Sequence, residues 1–133
     1  MAMRLLVVDD AEDSRQALAR HFAALGWDVC VAAGGVEALT QTLGQHLDAI
    51  VMNASLPGLE GYEAAAILRR IRPGIPIILT VEPHAEARPR SAERCERFRC
   101  FPKPLDLDAL ARAVEEASGG RSPEPAGDTG VAR

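Results

Sequence analysis

Short, largely uninterrupted apolar runs alternate along the chain with stretches of helical periodicity, and this alternation restricts the fold more than any other feature. Successive residues of each run are apolar, and several are β-branched. Such runs are typical of strands buried on both faces, as in a parallel sheet. The runs cover residues 5–8, 29–33, 49–52 and 75–79, with a weaker fifth run near residues 100–101.

Between these runs, apolar residues recur with the spacing of amphipathic helices. The predicted apolar stripes are Leu18, His21, Phe22 and Leu25; Val36, Leu39 and Leu43; Tyr62, Ala65, Ala66, Ile67, Leu68 and Ile71; and Leu107, Leu110, Ala111 and Val114. Gly26, Gly44 and the Pro73-Gly74 pair supply stop signals. Alternating strands and helices predict an α/β fold, in which right-handed crossovers place helices on both faces of a parallel sheet.

Length and composition limit the classes of protein to which the chain could belong. With 133 residues, 47% of them apolar, it has room for one domain with one sizeable core. A net charge of -4 argues against general affinity for nucleic acid or anionic membranes. The first residues do not have the pattern of a signal peptide or membrane span, so we expect neither, and Cys30, Cys95 and Cys100 match no disulfide or zinc pattern. We therefore expect a cytoplasmic protein with reduced thiols.

The end of the chain differs in composition from the rest. Residues 118–133 are rich in Gly, Pro and Ser and have no apolar period, so we expect a folded domain over residues 1–117 followed by a disordered tail or linker. Before the fifth run, Pro83 and Pro89 leave room only for a short helix, over residues 90–97.

Polar side chains follow the apolar runs one after another. Asp9 and Asp10 follow the first run, Asn53 the third, Thr80 the fourth and Lys103 the fifth. Ligands of parallel α/β sheets gather beyond the carboxyl ends of the strands. Carboxylates hold Mg²⁺, a hydroxyl hydrogen-bonds a phosphate oxygen, and a lysine neutralises phosphate charge. The set is therefore typical of a site for a hard cation and a phosphoryl group.

Four sequence blocks resemble those of bacterial response-regulator receiver domains, the CheY-like family. The blocks are VVDD (7–10), MNASLPGLEGYE (52–63), IILT (77–80) and FPKPLD (101–106). The resemblance covers about residues 3–117, and its most specific residues are Pro57, Gly61 and the Lys103-Pro104 pair. It implies a flavodoxin-like three-layer α/β/α fold, with a five-stranded parallel sheet in the order 2-1-3-4-5.

The resemblance also implies a role for each polar residue. Asp9 and Asp10 correspond to the acidic pair that holds Mg²⁺, and the backbone carbonyl of Ser55 to a further ligand. Thr80 corresponds to the switch hydroxyl that turns toward the phosphoryl group. Lys103 corresponds to the lysine that contacts the phosphoryl group, and the bond to its following proline is usually cis in the family.

The chain departs from the family pattern at four places. Asn53 stands where the family carries its phosphorylated aspartate, and Val81 where it usually has a small residue beside the phosphoryl pocket. Cys100 stands at the position of the switch aromatic, and residues 96–99 replace the usual turn before the fifth strand. An amide has no anionic oxygen to attack phosphorus and adds no charge to a metal site. We therefore expect no phosphotransfer and at most weak Mg²⁺ binding.

Two explanations of Asn53 are open: a natural pseudo-receiver, or an ordinary response regulator inactivated by an engineered Asp-to-Asn change. The first predicts a non-enzymatic signalling module that acts through protein-protein contacts, and four departures favour it over a single engineered change. The second predicts Mg²⁺-dependent phosphotransfer from a histidine kinase before the change. A small-molecule or nucleotide binder is a third reading, but no Gly-rich phosphate loop follows the first strand.

A basic segment indicates where a partner would bind. Its arginines, which map onto the family's fourth helix and fifth strand, are Arg88, Arg90, Arg94, Arg97 and Arg99. The plainer interpretation is a solvated helix face of mixed charge. The functional interpretation is a surface for a signalling partner, such as a histidine kinase or an output protein, on a monomer or weak homodimer. Nucleic acid is disfavoured because no recognition helix or aromatic platform accompanies the arginines.

Overall fold

The computed structural model describes residues 2–82 and 98–119. Strands and helices alternate along residues 2–82, as the sequence predicts, and residues 98–119 contain one further strand and one helix. The strands are β1 (Arg4–Val8), β2 (Asp28–Ala32), β3 (Ala49–Asn53), β4 (Ile77–Val81) and β5 (Arg99–Pro102). The helices are α1 (Glu12–Ala24), α2 (Gly35–Gly44), α3 (Gly61–Ile71) and α4 (Leu107–Ala117).

The strands form one sheet in the order β2-β1-β3-β4-β5, and every neighbouring pair is parallel. All residues of the inner strands β3 and β4 are buried, whereas the edge strands β2 and β5 are largely half-buried or exposed. The predicted flavodoxin-like order is therefore confirmed. It brings the carboxyl ends of β1, β3, β4 and β5 side by side.

Two apolar clusters fill the two faces of the sheet. Leu6 and Val8 of β1 pack toward α2 and α3, while Leu5 and Val7 pack toward α1 and α4. Alternate residues of the strand thus enter opposite clusters, which explains why the run has no polar position. The stripe predicted for α4 is confirmed, since Leu110, Ala111 and Val114 are buried in the second cluster and Leu107 packs against it.

The stripe predicted for α2 is right at Leu39, which is half-buried against the apolar cluster on that face of the sheet, and wrong at Val36 and Leu43. Val36 and Leu43 are 67% and 63% exposed, and the buried face consists of Gly35, Ala38 and Thr42. The buried residues are small, which lets the helix lie close to its neighbours: a Cβ at position 35 would be 3.1 Å from the Leu59 backbone oxygen. The Thr42 hydroxyl donates to the Ala38 carbonyl at 2.8 Å, so its burial leaves no polar group unsatisfied.

The stripe predicted for α1 is right in its middle and wrong at its end. Leu18 and Phe22 are buried, and His21 is half-buried. Leu25 is 48% exposed, because α1 ends at Ala24 and Leu25 only caps it. Trp27 is buried instead, with its ring stacked on Phe22 at a centroid distance of 5.1 Å.

The fourth strand begins two residues later than the apolar run predicts. Pro76 has no N–H to contribute to a ladder, although its carbonyl accepts from Ile50 at 3.0 Å. Regular pairing starts at Ile77, so Thr80 lies within β4 and not after it. Asn53 likewise is the last residue of β3, and it pairs in register with Thr80.

Some sequence predictions lie outside the described residues. These are the short helix over residues 90–97, Cys95, all the arginines of the basic segment except Arg99, and the tail from residue 120. The boundary between domain and tail stays a prediction. Within residues 2–82 and 98–119, none of the helices has the length and apolarity needed to cross a membrane.

Gly61, the first residue of α3, allows this helix to begin against the end of β3. Its N–H donates to the Ala54 carbonyl at 3.1 Å. A Cβ at this position would overlap the Asn53 carbonyl oxygen and lie 2.7 Å from the Ala54 Cα. Both obstacles are backbone atoms, which cannot rotate away. Gly61 is therefore required by the close packing of α3 against the end of β3, beside Asn53.

We predict that Gly61→Ala lowers the free energy of unfolding by about 1–3 kcal/mol, the usual range for overpacking. Gly44→Ala is the matched control, because Gly44 also lies in a helix and its Cβ would meet no atom within 4 Å. Urea unfolding of both variants measures the difference. Equal stability of the two variants would show that β3 and α3 can separate without cost.

We also predict that removing every residue after Gly119 changes the melting temperature by no more than about 1–2 °C. The reason is that these residues have no apolar face to bury. Ser118 must be kept, because it is buried and its hydroxyl donates to the Glu115 carbonyl at 3.0 Å. A larger decrease in thermal unfolding would mean that the removed residues pack on the domain.

Candidate functional site

The polar residues singled out in the sequence gather at the carboxyl ends of the strands. Asp9 follows β1, Asn53 ends β3, Thr80 lies near the end of β4 and Lys103 follows β5. Backbone hydrogen bonds fix these segments to one another. Ala54 N–H donates to the Thr80 carbonyl at 2.8 Å, and Lys103 N–H donates to the Val81 carbonyl at 2.9 Å. The sheet therefore positions the site directly.

Asp9 is the buried carboxylate of the site, with no exposed surface. Its Oδ1 accepts from the Ala11 backbone N–H at 2.9 Å, and its Oδ2 lies 3.3 Å from the Lys103 ammonium. The Arg15 guanidinium donates to the Asp9 backbone carbonyl at 2.9 Å. A buried carboxylate needs such partners, because burial removes the water that would solvate its charge.

The Asn53 side chain is held by hydrogen bonds at both ends of its amide. It is only 5% exposed. Its Nδ2 donates to Asp10 Oδ1 at 3.4 Å, and its Oδ1 accepts from the Ser55 backbone N–H at 3.2 Å. An aspartate here could not donate to Asp10, so the first of these bonds requires the amide.

Lys103 is the cation at the centre of the site. Its side chain is 16% exposed and lies between Asp9 and Glu82, whose Oε2 is 3.1 Å from the Lys103 ammonium. Burial alone would lower the pKa of Lys103, but the hydrogen bond and charge of Glu82 and the charge of Asp9 outweigh it and raise this pKa above its ordinary value. The lysine is therefore charged at neutral pH.

Sequence reasoning missed Glu82. This residue follows β4 and stands two positions after Thr80, so alternation along an extended chain directs both side chains to the same side. That spacing was the signal that could have identified it. No motif marks Glu82, because its importance comes from a contact with a residue 21 positions later in the chain.

Thr80 contributes an unsatisfied hydroxyl. Thr80 is 1% exposed, and its Oγ1 has no hydrogen-bond partner in the part of the chain that the structure describes. A buried hydroxyl without a partner is costly, and such exceptions concentrate at functional sites. The hydroxyl is thus a buried polar group of this site that is still available to a further partner.

The other predicted site residues lie at its border. Ser55 is exposed, and its backbone N–H faces the Asn53 amide. Val81 is buried in the apolar cluster toward α2 and α3, so its effect on access to the pocket stays a prediction. Cys100 packs against the same cluster, and its thiol donates to the Phe98 carbonyl at 3.5 Å. The peptide bond before Pro104 is cis, as the resemblance implies.

The oxygen donors of the site match those that Mg²⁺ takes, but few of them are free. Asp9 and Asp10 supply the two carboxylates, and Asn53 and Ser55 could add neutral oxygens. Both Asp9 oxygens already have partners, as does the Asn53 oxygen. Over residues 2–82 and 98–119, no three His, Cys, Asp or Glu side chains converge as metal ligands. The donor set fits at most weak binding of Mg²⁺.

Comparison with known proteins agrees with this arrangement. The family model for the response regulator receiver domain matches residues 5–115. The chain belongs to this family. Receiver domains are two-component signalling modules that bind Mg²⁺ in their phosphorylation, and the weak Mg²⁺ binding expected of this receiver domain is consistent with that property.

Curated relatives are longer proteins. The sensor protein EvgS of Escherichia coli K12 is 34% identical over 109 residues, which are 81% of this receiver domain chain but 9% of EvgS. The response regulator MprA of Mycobacterium bovis BCG is 31% identical over 134 residues, covering 97% of this chain and 56% of MprA. The chain therefore spans less than two thirds of the length of these relatives.

Solved structures show the same fold. The receiver domain of Francisella response regulator 1452 superposes with a TM-score of 0.77 at 26% identity, covering 89% of this chain and 98% of that one. TrrA of Thermotoga maritima, in complex with Mg²⁺ and BeF, superposes with a TM-score of 0.76 at 26% identity, covering 86% and 98%.

We predict that Asn53→Asp destabilises this receiver domain in EDTA by about 1–3 kcal/mol. The variant loses the hydrogen bond to Asp10 and gains repulsion between carboxylates at roughly 6 Å, in an effective dielectric near 20. Mg²⁺ should restore part of the loss, because it binds the folded pocket only. Thermal unfolding of parent and variant, each with EDTA and with Mg²⁺, measures both effects. No loss in EDTA and no recovery with Mg²⁺ would mean that these carboxylates do not converge.

Proposed function

We propose that this receiver domain signals through protein-protein contacts without being phosphorylated, with Asn53 at the position of the phosphoacceptor. The observation that carries the proposal is the buried Asn53 amide, which uses both its donor and its acceptor within the pocket. A side chain held in this way acts as a structural residue of the site. In this proposal, Asn53 does not act as a nucleophile.

The chemistry of the amide supports the same conclusion. In the ordinary reaction of the family, an aspartate oxygen attacks the phosphorus of a phosphohistidine and forms an acyl phosphate while the histidine nitrogen leaves. The Asn53 nitrogen is a poor nucleophile, because its lone pair is delocalised into the carbonyl. Its Nδ2 also donates to Asp10 Oδ1 at 3.4 Å. We therefore propose that the domain does not catalyse its own phosphorylation and is not an enzyme.

A second candidate function is an ordinary phosphoacceptor that carries an Asp-to-Asn change. The unpartnered Thr80 hydroxyl favours it, together with the retention of Asp9, Asp10 and Lys103 around the same pocket. The codon at position 53 of the source gene separates the candidates. An aspartate codon would establish the second and exclude the first.

The partners that we propose are proteins of two-component signalling, either a histidine kinase or an output protein. Similarity to sensor proteins such as EvgS and to response regulators such as MprA supports this class of partner. Among the arginines of the proposed basic surface, Arg99 is the one that lies within the described residues, and it belongs to the edge strand β5. We further propose a cytoplasmic monomer or weak homodimer with no affinity for nucleic acid, which agrees with the acidic net charge.

We predict that the protein gains no phosphoryl group when it is incubated with acetyl phosphate and Mg²⁺. The reason is the missing carboxylate at position 53. Intact-mass spectrometry measures the result, and Asn53→Asp serves as the matched control. Slow labelling of this control would show that the remaining pocket residues can still support the reaction. A gain of one phosphoryl group on a pocket residue of the parent protein would contradict the proposal.

A further inference from the structure

Glu82 makes the shorter of the two ion-pair contacts of Lys103. Its Oε2 lies 3.1 Å from the Lys103 ammonium, compared with 3.3 Å for Asp9 Oδ2. The Glu82 side chain is 38% exposed, whereas that of Asp9 is fully buried. Asp9 also has a backbone N–H as a partner. The distinctive contribution of Glu82 is therefore its contact with Lys103.

The order of the strands shows where the ammonium of Lys103 must lie. Lys103 follows β5 and Asp9 follows β1, and the sheet places β3 and β4 between these two strands. Neighbouring strands are about 4.8 Å apart, so a contact between Lys103 and Asp9 spans the ends of both inner strands. Asn53 lies at the end of β3. A carboxylate at position 53 would thus be within the electrostatic reach of Lys103.

The charges of the pocket nearly balance without a bound ion. Asp9, Asp10 and Glu82 are its carboxylates, and Lys103 and Arg15 are the cations in contact with Asp9, so three negative and two positive groups leave a formal charge of -1. An aspartate at position 53 would make this -2. In this balance, Glu82 supplies the carboxylate that the family pattern would supply from residue 53.

We propose that Glu82 replaces the carboxylate missing at position 53 as the partner of Lys103, so that the charge of this lysine is paired by side chains of the pocket itself. This inference rests on the proposed place of Asn53 at the acceptor position. Glu82 acts through Lys103, which makes it a positioning residue. With both carboxylates in place, the ammonium is engaged and does not attract an oxyanion from solution.

The test is Glu82→Gln in two backgrounds, the parent and Asn53→Asp, in EDTA. In the parent we expect the melting temperature to fall by about 2–5 °C, as expected for the loss of one partner of a partly buried ion pair. In the Asn53→Asp background we expect no fall, or a rise. In that background, the new carboxylate at position 53 pairs with Lys103. Removing the charge of Glu82 then relieves the repulsion between these two carboxylates. The effect of Glu82→Gln on the melting temperature therefore depends on which residue stands at position 53.

Asp28→Asn is the matched control. Asp28 pairs with Arg4 at 3.1 Å, at the opposite end of the sheet, and this pair is exposed. Its removal should change the melting temperature equally in both backgrounds. If Glu82→Gln also acts equally in both, Glu82 has only a general structural role and the inference is overturned.

A second measurement follows Lys103 directly by NMR of its side-chain carbon next to the ammonium. Glu82→Gln should lower the pKa of Lys103, and adding Asn53→Asp should raise it again, because each carboxylate stabilises the charged form. An unchanged Lys103 pKa in Glu82→Gln would overturn the inference. Acetyl phosphate labelling of the same four proteins tests the proposed function separately, since labelling of the parent would refute that function while leaving the effect of Glu82 on Lys103 intact.

Discussion

A carboxylate buried at the end of a parallel strand needs compensation, and much of the pocket supplies it to Asp9. The Ala11 N–H and the Lys103 ammonium bond its two oxygens, and Arg15 bonds its backbone carbonyl. Ala11 and Arg15 lie close to Asp9 in the chain, whereas the strand order 2-1-3-4-5 brings Lys103 to it from a distant part of the chain. Because burial removes water from Asp9, loss of Lys103 would leave the charge of this carboxylate uncompensated.

The neutral side chain at position 53 changes the balance of this site. In our proposal, Asn53 donates to Asp10 where an aspartate would repel it, and Glu82 supplies the second carboxylate to Lys103. A pocket organised in this way has most of its charges paired by its own side chains. It gains less from Mg²⁺ than a pocket with a third carboxylate at its centre, because divalent cations bind most strongly where negative charge is unpaired.

The sequence predicted the fold well, because runs of buried residues and the four family blocks both depend on local pattern. It predicted the convergence of Asp9, Asn53 and Lys103 for the same reason. The apolar pattern failed to predict the buried face of α2, because close packing determines which residues of this helix are buried. Helix α2 buries Ala38 and Thr42 and leaves Val36 exposed, since small residues permit close approach. It also missed Glu82, whose contact with Lys103, the residue after β5, depends on the tertiary structure and not on a local pattern.

The central claim is that the pocket pairs the charge of Lys103 with its own carboxylates and takes no phosphoryl group. Amide ¹H–¹⁵N NMR spectra with and without Mg²⁺ and beryllofluoride, an analogue of the phosphoryl group, test it most directly. We predict that the spectrum of the parent stays unchanged apart from small Mg²⁺-dependent shifts at Asp9 and Asp10. Saturable shifts that extend from Thr80 through β4 and β5 would contradict the claim, because they would show that the pocket accepts the phosphoryl analogue and transmits its binding through the sheet.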